Sequence, residues 1–409
     1  MKSWPLMLLV LGCGGSGTSL DASVDAADGS SDPIDLAVVP TCREGARELL
    51  PSFPAEDVSA SLDGNAVAIA FSQLGSTTVE LQVVDSDGET LLAPTPLGGV
   101  RPTMATLALY GIEVEASPLG YAVAWTQQLE LDDLVFGGAG AYETAQAVVV
   151  DREGRPLVDF SRYGAPHDAY GHRVHSRRPQ LLWMGSDVLF AWQDLRTRTR
   201  VVGQVVQDSG IYGVTLDTVA GSAAAEQLLS ERASSRNRFH LEARSGEAVA
   251  AIVTSVSRDV YDLSVEPLPA ASLTPLVTGI GVRVTDLAVA PDGAVHVAFV
   301  RGTYTEATVE VGVVTESDLV TTTIGSPEDW SGVETIIAFH EGRALLAWVD
   351  GLEVGWRFLD DADSFSTTTI DGVDAVQLLD AEVTDGALRI VVARELDDTF
   401  GVDLIERCL

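Results

Sequence analysis

The residues best suited to chemistry are concentrated in one stretch of the chain, between Arg152 and Arg244. Four of the six histidines lie in this stretch, and its densest part is HDAYGHRVHSRR, from His167 to Arg178. Three histidines within nine residues could ligate zinc or another borderline metal. Clustered guanidinium groups could instead attract an anionic ligand or an acidic partner. Most often such residues form no site, because the arginines pair with neighbouring carboxylates and the histidines hydrogen-bond within a loop.

If a ligand carries negative charge, we expect it to dock on this basic sector. Its candidate residues are His167, His172, Arg173, His175, Arg177, Arg178, Arg196, Arg198 and Arg200. The first six lie on a connector, and the last three lie after the next strand. A strand of about six residues spans roughly 20 Å. If the two groups occupy opposite ends of such a strand, only a macromolecular partner could touch both.

Other chemical motifs are weaker. The acidic pairs, such as Asp132-Asp133, could offer oxygen ligands to calcium, but no loop has D-x-D-x-D-G spacing. Nucleophile elbows, phosphate-binding glycine loops and catalytic cysteine contexts are absent. The insertion from Leu129 to Glu143 is rich in glycine, which is typical of a binding loop or of a disordered excursion. We therefore predict no catalytic residue, no metal and no cofactor.

The charge of the chain limits its partners. The 409 residues include 60 Asp and Glu against 25 Lys and Arg, for a formal net charge of -35. Binding to nucleic acid depends on clustered basic residues that displace counterions from phosphates. A chain this acidic is therefore not expected to bind nucleic acid.

The first residues are typical of an export signal. Lys2 supplies a positive charge, Leu6 to Leu11 (LMLLVL) an apolar segment, and Cys13 follows Val10-Leu11-Gly12. This pattern resembles the lipobox of bacterial lipoproteins, in which the cysteine is acylated and becomes the mature N-terminus. The resemblance implies a signal peptide at 1–12, lipidation of Cys13, and a location in the outer membrane or at the cell surface.

Residues 13–35 predict a disordered tether. They are mainly Gly, Ser, Ala and Asp without an aromatic residue, so they cannot bury enough apolar surface to offset their ordering entropy. Past residue 13, no apolar run approaches the roughly 18 residues of a membrane-spanning helix. Membrane attachment is thus expected through the lipid anchor only, and residues 36–409 are predicted to form the folded domain.

A glycine-containing turn followed by an apolar strand recurs seven times in this domain. Examples are DGNAVAIAFSQ from Asp63 and EGRALLAWVDG from Glu341. Each copy follows an apolar strand and precedes a more alternating third strand and a short fourth one. Such four-stranded units predict an all-β fold, a seven-bladed β-propeller, with the apolar second strands covered on both faces. The copies align on Phe71, Trp125, Trp192, Ile252, Phe299, Trp348 and Val392, which are 44 to 67 residues apart.

The third copy, from Arg178 to Gly210, resembles the repeats of large secreted bacterial β-propellers. Those repeats contain V-W-x-D-x-R, and Trp192, Asp194 and Arg196 stand at the last three defined positions. In this unit we expect the third strand to begin at Arg200. The other copies keep only the apolar skeleton, so the resemblance implies a fold and not an activity. The aligned tryptophans are expected to pack between blades.

The two ends of the domain complement each other. The seventh unit lacks a fourth strand, whereas residues 36–50 precede the first complete unit. The simplest solution is that this segment completes the last blade and removes an exposed edge. Cys42 and Cys408 would then lie at adjacent ends of an antiparallel pair, and an exported protein favours a disulfide between them. Two free thiols are the alternative.

Two classes of function remain open. The favoured one is a monomeric, surface-displayed propeller that binds a protein or glycan without catalysis. The alternative is a hydrolase or lyase acting on extracellular polysaccharide, which needs two carboxylates at a shared funnel. An axial pocket with paired carboxylates and arginines would favour the enzyme, whereas a channel filled with side chains would favour binding.

Overall fold

The computed structural model describes residues 42–98, 106–133, 138–163, 176–194, 208–234, 238–303, 306–315, 318–325, 333–361, 364–397 and 399–409. These residues form antiparallel β-strands joined mostly by short turns, so the all-β prediction is confirmed. Within the same ranges, no helix is long and apolar enough to cross a membrane. The predicted signal peptide, Cys13 and the tether lie outside the described residues.

The strands are grouped in small sheets that follow the order of the chain. The first begins with β1 (Gly45–Asp63), β2 (Ala66–Gln73), β3 (Val79–Asp85) and β4 (Thr90–Pro96). The second has β5 (Thr106–Ser117), β6 (Gly120–Asp133), β7 (Gly138–Asp151) and β8 (Pro156–Tyr163). The third has five strands, β9 (Ser176–Met184), β10 (Asp187–Asp194), β11 (Asp208–Asp217), β12 (Ser222–Ala223) and β13 (Gln227–Ser234).

Three further four-stranded sheets and a last group of three strands complete the described fold. They are β14 (His240–Arg244), β15 (Glu247–Ser255), β16 (Val260–Pro267) and β17 (Val277–Ile280); then β18 (Arg283–Val289), β19 (Val295–Thr303), β20 (Glu306–Val314) and β21 (Leu319–Gly325); then β22 (Glu334–His340), β23 (Arg343–Asp350), β24 (Glu353–Phe358) and β25 (Ser366–Thr369). The last strands are β26 (Ala375–Thr384), β27 (Ala387–Leu396) and β28 (Thr399–Cys408). Because β28 pairs with β1, these three strands share one seven-stranded sheet with β1 to β4.

The sheets stand side by side as propeller blades. The first strand of each group packs against that of the next, in the order β1, β5, β9, β14, β18, β22 and β26, and β26 also contacts β1. The first strands therefore surround a common axis. The predicted second strands are confirmed as buried elements: β10, for example, is buried from Val188 to Asp194 between neighbouring sheets. Trp125 and Trp192 are buried there as expected, at 2% and 0% exposure.

The two chain ends of the folded unit meet. Residues Gly45 to Pro54 of β1 pair with β28, and a disulfide joins Cys42 to Cys408 with a Cα–Cα distance of 5.7 Å. The predicted disulfide is therefore confirmed. Cys408 is paired with Ala387, which is paired in turn with Thr384, so the disulfide is level with the last residue of β26.

The third sheet departs from the predicted repeat. The strand that pairs with β10 over its whole length is β11, which begins at Asp208 and not at Arg200, so that assignment is wrong. Residues 195–207, between these two strands, lie outside the described residues. The sequence from Arg200 has the alternating apolar pattern of a strand. That pattern does not by itself specify which of two such runs will pair with β10.

Candidate functional site

Most of the predicted basic sector lies outside the described residues. His167, His172, Arg173, His175, Arg196, Arg198 and Arg200 all belong to segments that the structure does not describe. The backbone of Arg177 lies in β9, and Arg178 lines a central cavity, where its Nη1 donates to Gln193 Oε1 at 3.1 Å.

The two halves of the basic sector adjoin the same end of the third sheet. One half precedes Ser176 at the start of β9, and the other follows Asp194 at the end of β10. Ser176 and Asp194 are directly paired across these antiparallel strands. Ser176 and Asp194 therefore lie side by side at one end of the sheet, and the separation of roughly 20 Å considered from the sequence does not apply at these two residues. Arg178 stands at this end, which we call the mouth end.

A polar cavity of about 760 Å³ occupies the axis between the first strands. It is lined by residues of β5, β9, β14, β18, β22 and β26. The channel is therefore not filled by side chains. Acidic and basic side chains dominate its wall, namely Glu113, Glu115, Arg178, Arg238, His240, Glu242, Arg283, Asp286, Glu334 and Asp380.

Four acidic side chains, the latch carboxyls, join neighbouring first strands. Each accepts a hydrogen bond from a backbone N–H of the next strand around the axis. For the three aspartates among them, an irregularity in strand pairing comes just before the residue. The bonds run from Ile112 to Asp57 (3.0 Å), from Ile337 to Asp286 (2.6 Å), from Leu378 to Glu334 (2.8 Å) and from Leu62 to Asp380 (2.6 Å).

Burial keeps protons on the latch carboxyls. It raises the pKa of Asp286 to about 8 and that of Asp380 to about 6, although backbone N–H donors oppose the change. The pKa values of Asp57 and Glu334 are also raised by burial. A low-dielectric wall disfavours the ionised form of a carboxyl group. These four groups join neighbouring sheets, and burial disfavours their ionisation.

Glu113 and Glu115, the open pair, differ from the latch carboxyls. They lie two residues apart on β5, so their side chains project to the same face. Among the described residues, no backbone N–H of a neighbouring sheet donates to either carboxyl. Glu113 Oε1 instead accepts from Gln180 Nε2 at 3.1 Å and lies 3.6 Å from Arg238 Nη1. The Glu115 side chain is accessible to water from the cavity, although protein surrounds the cavity itself.

The open pair has unequal proton affinity. Burial raises the pKa of Glu113 to about 7, whereas the charge of Arg238 acts in the opposite direction. The pKa of Glu115 is raised well above its usual value by burial, and then by the negative charges of Asp380, Glu242, Glu113 and Asp286. Glu113 is therefore partly ionised at neutral pH, whereas burial and the neighbouring negative charges disfavour ionisation of Glu115. Two carboxyls with separated pKa values form the usual basis of acid–base catalysis.

Basic groups stand beside this pair at the mouth end. Arg238 and Arg283 lie at the start of β14 and β18, and the side chain of Arg238 is 54% exposed. Burial, reinforced by both arginines, lowers the pKa of His240 to about 3. His240 is therefore an uncharged imidazole at neutral pH. The cavity can offer a proton donor, a proton acceptor and positive charge within one space.

The sequence interpretation missed the cavity carboxyls. A usable signal was present, because Asp57, Asp286 and Asp380 each interrupt an otherwise apolar first strand. In the part of the chain that the structure describes, no group of three His, Cys, Asp or Glu side chains is arranged to hold a metal ion. The three clustered histidines considered for zinc lie outside that part.

No family model and no curated protein matches this sequence. Among solved structures, an ulvan lyase, a polysaccharide lyase bound to a GlcA(1-4)Rha3S unit, is similar over 89% of this chain and 98% of its own, at 8% identity and a TM-score of 0.54. Another ulvan lyase structure covers 88% of this chain and 97% of its own, at 9% identity and a TM-score of 0.51. An α-L-arabinofuranosidase from Fusarium graminearum covers 89% of this chain and 98% of its own, at 10% identity. Its TM-score of 0.44 is too low to support a conclusion about this chain. At such low identity, the likeness shows that the chain has a propeller-type fold and nothing about its activity.

Proposed function

We propose that this protein is a glycan-cleaving enzyme that acts on an extracellular polysaccharide from its axial cavity. The observation that carries the proposal is the open pair, two carboxyls of unequal proton affinity facing a water-accessible cavity beside arginines. This arrangement favours the enzyme over the non-enzymatic binding module that the sequence favoured.

The open pair fits hydrolysis of a glycosidic bond. Glu115, whose ionisation is disfavoured by burial, would protonate the leaving oxygen, and Glu113 would act as base or nucleophile. Residues two apart on a strand have Cα atoms about 6.6 Å apart. Paired carboxyls of glycosidases are separated by roughly 5 to 9.5 Å, depending on the stereochemical outcome. The spacing along β5 is of this scale.

The basic groups indicate a substrate that carries negative charge. Arg178, Arg238 and Arg283 line the cavity, and the segments that hold His167 to His175 and Arg196 to Arg200 adjoin the mouth end. Burial leaves several cavity carboxyls uncharged, so the arginines are less neutralised than the number of acids implies. A uronate or sulfate group entering from the mouth end would meet this positive charge first.

Two architectural features support access to a polymer. We propose that the seven-stranded sheet is two blades that share β1, which makes a seven-bladed ring closed by the N-terminal strand. The disulfide at Cys42 lies level with the end of β26, away from the mouth end. If Cys13 is acylated, the lipid anchor precedes Cys42 in the chain. Replacing Cys13 with Ser should release the protein from the membrane fraction, and unchanged membrane association would contradict lipidation.

The function is tested by assaying a panel of neutral and anionic polysaccharides for new reducing ends. Glu115→Gln and Glu113→Gln should each lower kcat/KM by about 10²- to 10⁴-fold, the usual contribution of a general acid or base. Glu353→Gln, at an exposed residue that begins β24, is the matched control and should retain full activity. An unsaturated product would identify a lyase. Binding of a glycan without cleavage would instead support a binding module and overturn the proposal.

A further inference from the structure

We infer that Arg238 is a positioning residue that sets the ionisation of Glu113 and thereby determines which member of the open pair acts as base. The inference rests on the proposed function for its catalytic meaning. Its physical content, the coupling of Arg238 to Glu113, can be measured without a substrate.

The first support is the path of the Arg238 side chain. Arg238 precedes β14, whereas Glu113 lies on β5, and β9 stands between these strands around the axis. The guanidinium group thus spans the cavity wall to reach Glu113, with Nη1 3.6 Å from Oε1. Gln180 of β9 donates to the same oxygen at 3.1 Å. Both contacts therefore fix Oε1, and Oε2 takes part in neither.

The second support is the set of groups that face Glu113. Its own strand provides Glu115, β1 provides Asp57, and β22 provides Glu334, all of which carry or can carry negative charge. Gln180 of β9 is neutral. The positive charge of Arg238 acts against that of these acidic neighbours. It lowers the pKa of Glu113, Asp57 and Glu334. Without that charge, desolvation and the acidic neighbours would keep Glu113 protonated to higher pH.

The neighbouring arginines have different roles. Arg283 Nη2 donates to the carbonyl oxygen of Val333 at 2.7 Å, which joins β18 to the residue before β22. Arg178 contacts Gln193 within its own sheet. Among the described residues, Arg238 is the arginine that forms an ion pair with the open pair, and its 54% exposure also lets a substrate reach it. Solvent screening limits the strength of such an exposed pair.

The experiment combines Arg238→Gln, Arg238→Lys and the control Arg343→Gln. Arg343 pairs with Asp360 on the exposed surface and does not line the cavity, so its loss should leave all readouts unchanged. The first readout is the carboxyl ¹³C NMR titration of Glu113, assigned with Glu113→Gln. The second is the acidic limb of the kcat/KM profile on any cleaved glycan.

Arg238→Gln should raise the titration midpoint of Glu113 and move the acidic limb to higher pH by the same amount. The shift corresponds to a loss of up to about tenfold at neutral pH, since one pKa unit is a tenfold change in the ionised fraction. Arg238→Lys, which retains the charge, should restore most of both values. An unchanged NMR titration in Arg238→Gln would overturn the inference. A shifted titration in a protein that cleaves no glycan would uphold the Arg238–Glu113 coupling and reject the proposed function.

Discussion

The latch carboxyls and the open pair use the same chemical group in the same cavity for different ends. Asp57, Asp286, Glu334 and Asp380 accept a backbone N–H from the next first strand. Within the described contacts, the open pair accepts no such bond from a neighbouring sheet, and Glu113 contacts side chains instead. The raised pKa of a buried carboxyl is thus common to both sets. The two sets differ in whether a carboxyl oxygen accepts a backbone hydrogen bond that joins two sheets.

This difference explains why acidic side chains can line the axis of the fold. A backbone N–H at the cavity wall needs an acceptor, and an unpaired buried donor costs about 1 to 3 kcal/mol. The latch carboxyls meet that need at four junctions between neighbouring first strands. The second and third sheets are joined instead through side chains, because Gln180 donates to Glu113 and Trp183 Nε1 donates to the Glu115 carbonyl oxygen at 3.1 Å. The open pair lies at the junction of β5 and β9, one of the three junctions between first strands at which the described residues show no latch carboxyl.

The largest expected effect is the pH dependence of stability. The pKa values of Glu113, Asp286 and Asp380 in the folded protein are about 7, 8 and 6, above the ordinary values of 4.5 and 3.8. Between those ranges the folded chain holds protons that the unfolded chain has lost, so stability from these groups falls as pH rises through about 6 to 8. Urea titrations should show a lower midpoint at about pH 8 than at about pH 5. Equal midpoints would mean that these carboxyls are ionised in the folded state.

Removal of a single latch carboxyl should have the next largest effect on stability. Asp286→Ala removes the acceptor of the buried Ile337 N–H and should lower the free energy of unfolding by about 1 to 3 kcal/mol. Asp286→Asn keeps a carbonyl acceptor, so its free energy of unfolding should fall by less. Because it removes the titrating carboxyl, it should also make stability less dependent on pH. The measurement is urea unfolding followed by tryptophan fluorescence. If alanine and asparagine variants were equally stable, the hydrogen bond would not stabilise this junction.

The open pair should have the smallest effect on stability. Glu115→Gln preserves shape and removes a carboxyl that several acidic neighbours surround. The free energy of unfolding should change by less than about 0.5 kcal/mol, as for substitutions away from committed contacts. The same urea titration, run beside Asp286→Ala, separates the two classes of carboxyl. A loss as large as that of Asp286→Ala would place Glu115 among the residues that hold the fold.

Much of the fold was predictable because its pattern is local. The second strands are continuous apolar runs after a glycine turn, and burial on both faces requires such runs. The disulfide between Cys42 and Cys408 followed from the unmatched chain ends. The prediction that the third strand of the third unit begins at Arg200 was wrong. Two apolar runs follow Asp194, and only pairing with β10 distinguishes them.

The candidate site was predictable only in part. Arg178 was singled out from its basic neighbourhood, and it does line the cavity. Glu113, Glu115 and Arg238 were not, because each is an ordinary charged residue in a chain that contains 60 acidic ones. Their contacts join β5 and β9 to Arg238, two residues before β14, and Glu113 and Arg238 are 125 residues apart in the sequence (238 − 113).

The sequence by itself determined that this chain makes repeated antiparallel strands and that its two cysteines near the ends of the domain are paired, since both depend on local periodicity and on matching chain ends. Only the tertiary structure decided which acids face the axis, because the first strands converge there after the sheets have packed. It also decided their chemistry. A carboxyl is an ionised surface group or a protonated cavity group according to the water, the N–H donors and the charges around it, and those surroundings come from several sheets at once.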